Sequence, residues 1–304
     1  MTAAIDLGAF ALLTVFAIPY HPAFAGDATP LFFVQKNGEI VVEAAKALTQ
    51  TAGCPSPDID VLPRPDGLAE FVLKSQCRKV QIVRIRYAGL EFIRLTDEQG
   101  RLEFVLDCIA GDGFPVDFVL ADGSQVSKKI ATFDLDRVTK IAVVWSAPVN
   151  LDLHAFEYAA LPGSPGHVWQ GVPSSADDAK SLMAKDKRGH GFISTTSSGK
   201  ERGTKLEVYT FWHEPEQKAG VINMALDYES RASATGDAET CGTGLYSDLE
   251  YEAVMLDRNR PAKRSFAKFA SLDCGVTLSG PARYSHKAVP EITIRSDSRR
   301  NPDR

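Results

Sequence analysis

The chain has 304 residues and a formal net charge of −5 at pH 7. This length exceeds the commonest size of a single domain and suits two. The mildly acidic charge argues against a nucleic-acid binder, which would carry a basic patch. Beyond the amino-terminal segment, no apolar run reaches the ~20 residues that a membrane-spanning helix needs, so we expect no membrane span in the mature protein.

The amino terminus has the pattern of a cleaved export signal. An uncharged apolar run over 7–20 is followed by a small-residue A-x-A motif at 23–25, the kind of site that a signal peptidase cleaves. The run is shorter than the ~20 residues of a membrane anchor. The segment before the run departs from the usual positively charged start of a signal peptide, since it carries Asp6 and no Lys or Arg. We therefore predict a signal peptide over 1–25 and a periplasmic or secreted protein.

Five cysteines follow the predicted signal peptide, and an oxidising compartment favours disulfides with one thiol left over. Proximity in the sequence favours the pairs Cys54–Cys77 and Cys241–Cys274, although other pairings remain open. Cys108 is then the odd cysteine. Because its neighbours are apolar, we expect it to be a buried and inert thiol.

The first half of the chain predicts a small β-sandwich. The lead-in over 26–66 divides into a strand at 31–34, a short helix at 39–49 and a proline-rich extended connection at 54–66. From Gly67 onward apolar residues alternate with polar ones, and turns such as Ala88-Gly89 separate the runs. Short strands with turns at this interval are typical of an antiparallel sandwich. We place this domain at 67–127.

A second β series predicts a larger sandwich domain over 139–295. Its predicted strands lie at 141–145, 151–156, 206–211, 221–228, 249–256, 266–272 and 289–294. A long polar loop over 160–203 interrupts the series, with a helix at 175–185 that begins at a serine or aspartate cap. The arginine-rich end, 296–304, is a predicted disordered tail. The fold expected is therefore all-β, two antiparallel immunoglobulin-like or jelly-roll-like sandwiches in tandem with little helix.

The segment 145–156 contains the most distinctive string, W-S-A-P-V-N-L-D-L-H-A-F. In an extended strand Asp152 and His154 point to one face, while Leu151 and Leu153 point to the other. A carboxylate and an imidazole on one exposed face suit a metal or a polar ligand. The alternative is an ordinary half-buried strand with a hydrogen-bonded pair, because this spacing alone is no metal signature.

This string resembles the W…DLDLH strand pair of uncharacterised exported β-sandwich proteins of Gram-negative bacteria. The match covers about a dozen residues, with looser likeness at 166–169 and 208–211. Asn150 stands where those proteins often have aspartate, which weakens a cation site carried over from them. The resemblance implies a fold and a compartment, and it implies no activity.

The histidines of the second series suggest a metal site. His154, His167, His213 and Asp152 would supply three imidazoles and a carboxylate if the long loop folded over the strand. None of the recognised zinc spacings is present, and scattered surface histidines are the alternative. On this hypothesis the protein is a metal-binding protein or a metal-dependent hydrolase with a divalent metal as cofactor.

The tryptophans of the second series suggest a carbohydrate surface instead. Trp169 and Trp212 lie among polar or turn residues and would stack on a sugar ring, with Asp152, His154 or Glu207 bonding its hydroxyls. The alternative is that these rings fill the core. The sequence carries no nucleophile elbow and no phosphate loop. We therefore favour a non-enzymatic envelope protein without a cofactor, which binds a partner or glycan through the second domain.

Overall fold

The computed structural model describes most of the chain after residue 30. The described residues are 31–36, 39–44, 54–132, 134–146, 151–170, 172–173, 175–186, 189–197, 204–213, 219–228, 249–258, 260–269, 284–285 and 289–295. The predicted signal peptide and the predicted tail lie outside them. Met1–Gln50 and Thr51–Arg304 form two compact units.

Within its described residues, 31–36 and 39–44, the first unit contains one hairpin. Strand β1 (Leu31–Lys36) pairs antiparallel with β2 (Glu39–Ala44). The predicted strand at 31–34 is therefore confirmed, and the predicted helix at 39–49 is wrong over the part described. A run of β-branched residues at 40–42 explains the difference, because such side chains favour strands over helices.

The first sandwich of the second unit has two antiparallel sheets. Its strands are β3 (Asp58–Arg64), β4 (Leu68–Lys74), β5 (Ile82–Tyr87), β6 (Leu90–Leu95), β7 (Arg101–Asp107), β8 (Pro115–Leu120) and β9 (Gln125–Lys129). Sheet I has the order β3-β4-β7, and sheet II has the order β6-β5-β8-β9. The predicted connection at 54–66 is thus partly a strand. Since β3 is an edge strand, it tolerates Pro63.

The second sandwich also has two sheets. Its strands are β10 (Val138–Ser146), β11 (Leu151–Glu157), β12 (His167–Val168), β13 (Gly191–Ser197), β14 (Thr204–Trp212), β15 (Gly220–Tyr228), β16 (Leu249–Asp257), β17 (Lys263–Phe269), β18 (Tyr284–Ser285) and β19 (Ile292–Ile294). Sheet III has the order β13-β14-β10-β16-β17. Sheet IV has the order β12-β11-β15-β18, and β19 also pairs with β15. These sheets confirm the all-β fold.

The predicted loop over 160–203 contains two strands besides the helix predicted within it, which corrects that prediction. It includes β12, the helix α1 (Ala176–Asp186) and the edge strand β13. Helix α1 begins after Ser175, whose Oγ accepts the N–H of Asp178 at 3.2 Å, so the predicted cap is confirmed. Within the described part of the chain, no helix is long and apolar enough to cross a membrane.

The two sandwiches are packed into one body. One face of sheet III contributes Ala142, Val144, Leu206, Val208 and Val254 to the same buried cluster as the first sandwich. The opposite face of sheet III builds a second core with sheet IV. Because successive side chains of a strand point to opposite faces, sheet III serves both cores.

A buried ion pair joins the two sandwiches within this body. Lys140 of β10 contacts Asp107 of β7, and both side chains are inaccessible to solvent. Ser194 of β13 donates a hydrogen bond to the other oxygen of Asp107 at 2.6 Å. Burial raises the pKa of Asp107, and the ammonium of Lys140 opposes that rise. Both partners must be present together, because either charge alone is costly to bury.

The cysteine predictions are confirmed where the structure describes them. Cys54 and Cys77 form a disulfide with a Cα–Cα distance of 6.0 Å. Cys108 is a buried free thiol, and burial raises its pKa to about 12. Such a thiol is protonated and unreactive. Cys241 and Cys274 lie outside the described residues.

Candidate functional site

The predicted orientation of strand β11 is confirmed. Leu151 and Leu153 lie in the core between sheets III and IV, and Asp152 and His154 lie on the other face. Asp152 is directly opposite Asp227 of β15 in the register. His154 Nε2 lies 3.7 Å from a carboxylate oxygen of Asp227. The imidazole is therefore close to the carboxylate of the neighbouring strand.

His154 and His167 form a hydrogen-bonded pair with defined tautomers. The backbone N–H of Gly163 donates to His167 Nδ1 at 2.9 Å, so this nitrogen carries no proton. His167 Nε2 then donates to His154 Nδ1 at 2.9 Å, and the proton of a neutral His154 is on Nε2, facing Asp227. Burial lowers the pKa of His167. This hydrogen-bonded pair therefore links strand β11 to strand β12.

The proposed metal-ligand set is not brought together. His213 lies at the end of β14 in sheet III, where its Nε2 is 2.7 Å from Thr139 Oγ1. Thr139 donates its single hydroxyl proton to Asp257, so His213 must be the donor to Thr139. Burial lowers the pKa of His213 to about 4. Over the residues that the structure describes, no group of three or more potential ligands is placed to hold a metal.

The proposed tryptophan surface is also corrected. Trp212 is only 5% exposed and packs in the cluster beside helix α1, with Lys180 Nζ 4.4 Å from its ring centre. Trp169 is half-buried, and its ring lies 4.5 Å from that of His167. Trp145 is buried in the core. The two tryptophans therefore do not form one exposed platform.

Two buried glutamates form hydrogen bonds that join strands of the second sandwich. Glu157 of β11 accepts the N–H of Gly191 at 2.6 Å, the hydroxyl of Tyr209 at 2.7 Å and a bond from His190 Nδ1 at 2.6 Å. His190 is bonded on its other side to Asp186, at 3.1 Å. His190 is therefore buried and forms hydrogen bonds to two carboxylates.

The second of these glutamates is Glu207 of β14. Its Oε2 accepts the N–H of Leu153 from the facing sheet at 2.7 Å. At 3% exposure it is closed to a sugar hydroxyl, which corrects the expectation made above. Burial raises its pKa to about 8. Both glutamates serve the fold, because each accepts a hydrogen bond from a buried backbone N–H group.

An open groove lies where the first sandwich meets the edge of sheet III. It has a volume of about 690 Å³, within the usual range for small-ligand sites. Its walls come from the β5–β6 turn, the ends of β10 and β14, and strands β16 and β17. The lining residues are Gly89, Leu90, Glu91, Val144, Trp145, Ser146, Thr204, Glu250, Tyr251, Glu252, Phe266, Ala267 and Lys268.

Phe266 is the unusual residue of this groove, with 81% of its surface exposed. It lies on β17, opposite Glu252 in the register, and so faces the same side of sheet III as the first sandwich. The sandwich covers the central strands and reaches β17 through its tight turn, where Arg264 donates to the carbonyl of Ala88 at 2.6 Å. The ring therefore lies beyond the covered area.

Three ion pairs surround the aromatic part of the groove. Glu252 contacts Arg264 at 2.8 Å, and Glu250 contacts Lys268 at 2.5 Å, one pair on each side of Phe266 along the strand. Glu91 of β6, beside the facing turn, contacts Arg86 of β5 at 2.9 Å. The sequence analysis missed this site. Its only local signal was an apolar ring between basic residues in K-R-S-F-A-K.

Two comparisons with known proteins give no match for this chain. No protein-family model matches it, and no curated protein is significantly similar to it in sequence. The arrangement of the residues themselves is therefore the basis for assigning a function.

Proposed function

We propose that this protein is an exported, non-enzymatic envelope protein that binds a ligand in the groove beside Phe266. The exposure of the Phe266 ring carries the proposal. A large aromatic side chain contributes most to binding when a ligand removes it from water. An exposed aromatic ring beside a concave surface with both polar and apolar groups is typical of a binding site. The buried histidine and glutamate clusters support a non-enzymatic role, since their hydrogen bonds are used within the fold.

Two observations support export. The amino-terminal sequence has an apolar run and a small-residue cleavage motif at 23–25. The Cys54–Cys77 disulfide suits an oxidising compartment such as the periplasm. The resemblance to exported β-sandwich proteins points in the same direction.

Mass spectrometry of the protein isolated from the periplasm tests export directly. We expect a chain that begins at Gly26, and we expect replacement of Ala25 by Phe to block cleavage and leave the longer chain. Recovery of the uncleaved wild-type chain from the cytoplasm would contradict the proposal.

Affinity capture from fractionated cell envelope tests the groove. We compare immobilised wild-type protein with Phe266→Ala and with Leu161→Ala, which removes another exposed apolar side chain, 72% exposed, that does not line the groove. The proposal expects the wild type and the Leu161 variant to retain the same sugar or protein component and the Phe266 variant to lose it. Equal retention by all three would remove the groove as the site.

A further inference from the structure

We infer that the groove binds an uncharged oligosaccharide, with Phe266 as the stacking surface for one sugar ring. This inference rests on the proposed function and specifies its ligand. It depends on three features of the site: the exposed ring, the ion-paired polar groups around it, and the shape of the wall opposite. No cofactor or bond-forming step is involved.

The first feature is the ring and its setting. The side chain of Phe266 stands on the outermost strand of sheet III as the structure describes it, and 81% of its surface is open. The C–H face of a pyranose is apolar and flat, so it can cover such a ring and leave its hydroxyl groups at the sides. Burial of aromatic surface supplies the affinity, roughly 25 cal/mol for each Å² removed from water.

The second feature is charge balance. Glu250, Glu252 and Glu91 each face a cation, from Lys268, Arg264 and Arg86 respectively. Paired charges create little net field, so the groove neither concentrates an anionic polymer nor attracts a basic one. A carboxylate in such a pair still has lone pairs for hydroxyl donors, and the ammonium and guanidinium groups keep N–H donors. The ion-paired carboxylates of the lining and its ammonium group, Lys268, lie beside an aromatic ring and complement a ligand rich in hydroxyl groups and without charge.

The third feature is the wall formed by the tight turn of the first sandwich. Tyr87 pairs with Leu90, and both Ala88 and Gly89 have positive φ values, 51° and 84°. These are the angles of a type I′ hairpin turn, which glycine favours. Arg264 fixes the turn to β17 through the Ala88 carbonyl. The distance between the two walls is thereby set by the fold, which lowers the cost of ordering the site on binding.

Isothermal titration with uncharged and charged oligosaccharides tests the inference. The probes are linear α- and β-linked glucose hexasaccharides, an N-acetylglucosamine hexasaccharide, a hexuronate and a lysine-rich peptide. We expect at least one uncharged probe to bind with an affinity that is unchanged between low and high salt. Phe266→Ala should weaken that binding about tenfold, Phe266→Trp should preserve it, and Leu161→Ala should leave it unchanged.

The other results separate this inference from the function on which it rests. Binding of the hexuronate or the peptide alone, lost in Phe266→Ala, would overturn the uncharged ligand and keep the groove. Absence of binding by every uncharged probe at millimolar concentration would also overturn it, while capture of an envelope protein that depends on Phe266 would preserve the proposed function. An unchanged melting temperature of the Phe266 variants shows that the fold is intact.

Discussion

Replacement of Glu207 by Gln should stabilise the protein at neutral pH. The Glu207 side chain is 3% exposed and has a pKa raised by burial from its ordinary value of 4.5 to about 8. At pH 7 the unfolded chain ionises this residue while the folded chain keeps it protonated. The free energy of unfolding therefore falls by 1.36 kcal/mol for each of the 2.5 pH units between 4.5 and 7, about 3 kcal/mol in total.

Glutamine removes this cost and keeps the hydrogen bond. Its side-chain oxygen can accept the N–H of Leu153, which Glu207 accepts at 2.7 Å. Folding raises the pKa of Glu207, so its contribution to the free energy of unfolding is fully present below pH 4.5 and is lost as the pH rises to 8. The gain from Glu207→Gln should therefore be near zero at pH 4.5, about 3 kcal/mol at pH 7 and constant above pH 8.

Urea denaturation at several pH values measures this difference. Glu98→Gln is the matched control, because Glu98 is exposed and its substitution should change the free energy of unfolding by less than about 0.5 kcal/mol at any pH. Glu207→Leu should destabilise the protein, since the Leu153 N–H then has no acceptor from this side chain. A gain from Glu207→Gln that is the same at pH 5 and pH 8 would refute the reasoning.

Three further predictions concern stability. Lys140→Met should lower the free energy of unfolding by about 3–5 kcal/mol, because it leaves Asp107 buried without its cation; a double variant with Asp107→Leu should recover most of this loss in the same denaturation assay. Replacement of Cys54 and Cys77 by Ser should lower the free energy of unfolding by about 3 kcal/mol, as expected for a loop closed over 23 residues. If the double variant lowers the melting temperature less than chemical reduction of the wild type does, this expectation is contradicted. His213 has a folded-state pKa of about 4, below its ordinary value of 6.5, so its contribution is complete above pH 6.5 and is lost as the pH falls towards 4. His213→Gln, which keeps a donor for the neighbouring hydroxyl, should reduce this acid-induced loss by about 3 kcal/mol; an unchanged acid profile would show that His213 does not titrate in this range.

The strands were largely predictable because their signal is local. The alternation of Val, Ile and Tyr with Arg over 83–87 fixes both a strand and its inward face, and β5 buries its residues in that pattern. The cap of helix α1 was predictable for the same reason. One error fell where the local signal is weak. Strand β13 has a polar sequence, and it is a strand because β14 pairs with it along its length.

The positions of the candidate site residues could not be predicted from the sequence. Trp169, Trp212 and Phe266 are all aromatic residues in or beside β segments, and their exposure depends on what covers them. Helix α1 covers Trp212, which the sequence placed in polar surroundings. The first sandwich covers the middle of sheet III and ends before Phe266.

The sequence by itself determined the all-β class and most strand positions, and it favoured the Cys54–Cys77 pairing, because periodicity and proximity act over short stretches of chain. The tertiary structure decided which polar side chains are buried and where a ligand can enter. At the groove, Arg264 of β17 contacts the turn at Ala88, and these two residues are 176 positions apart in the sequence. A local sequence pattern cannot reveal a contact between segments so far apart in the chain, since only the packing of sheet III against the first sandwich brings them together.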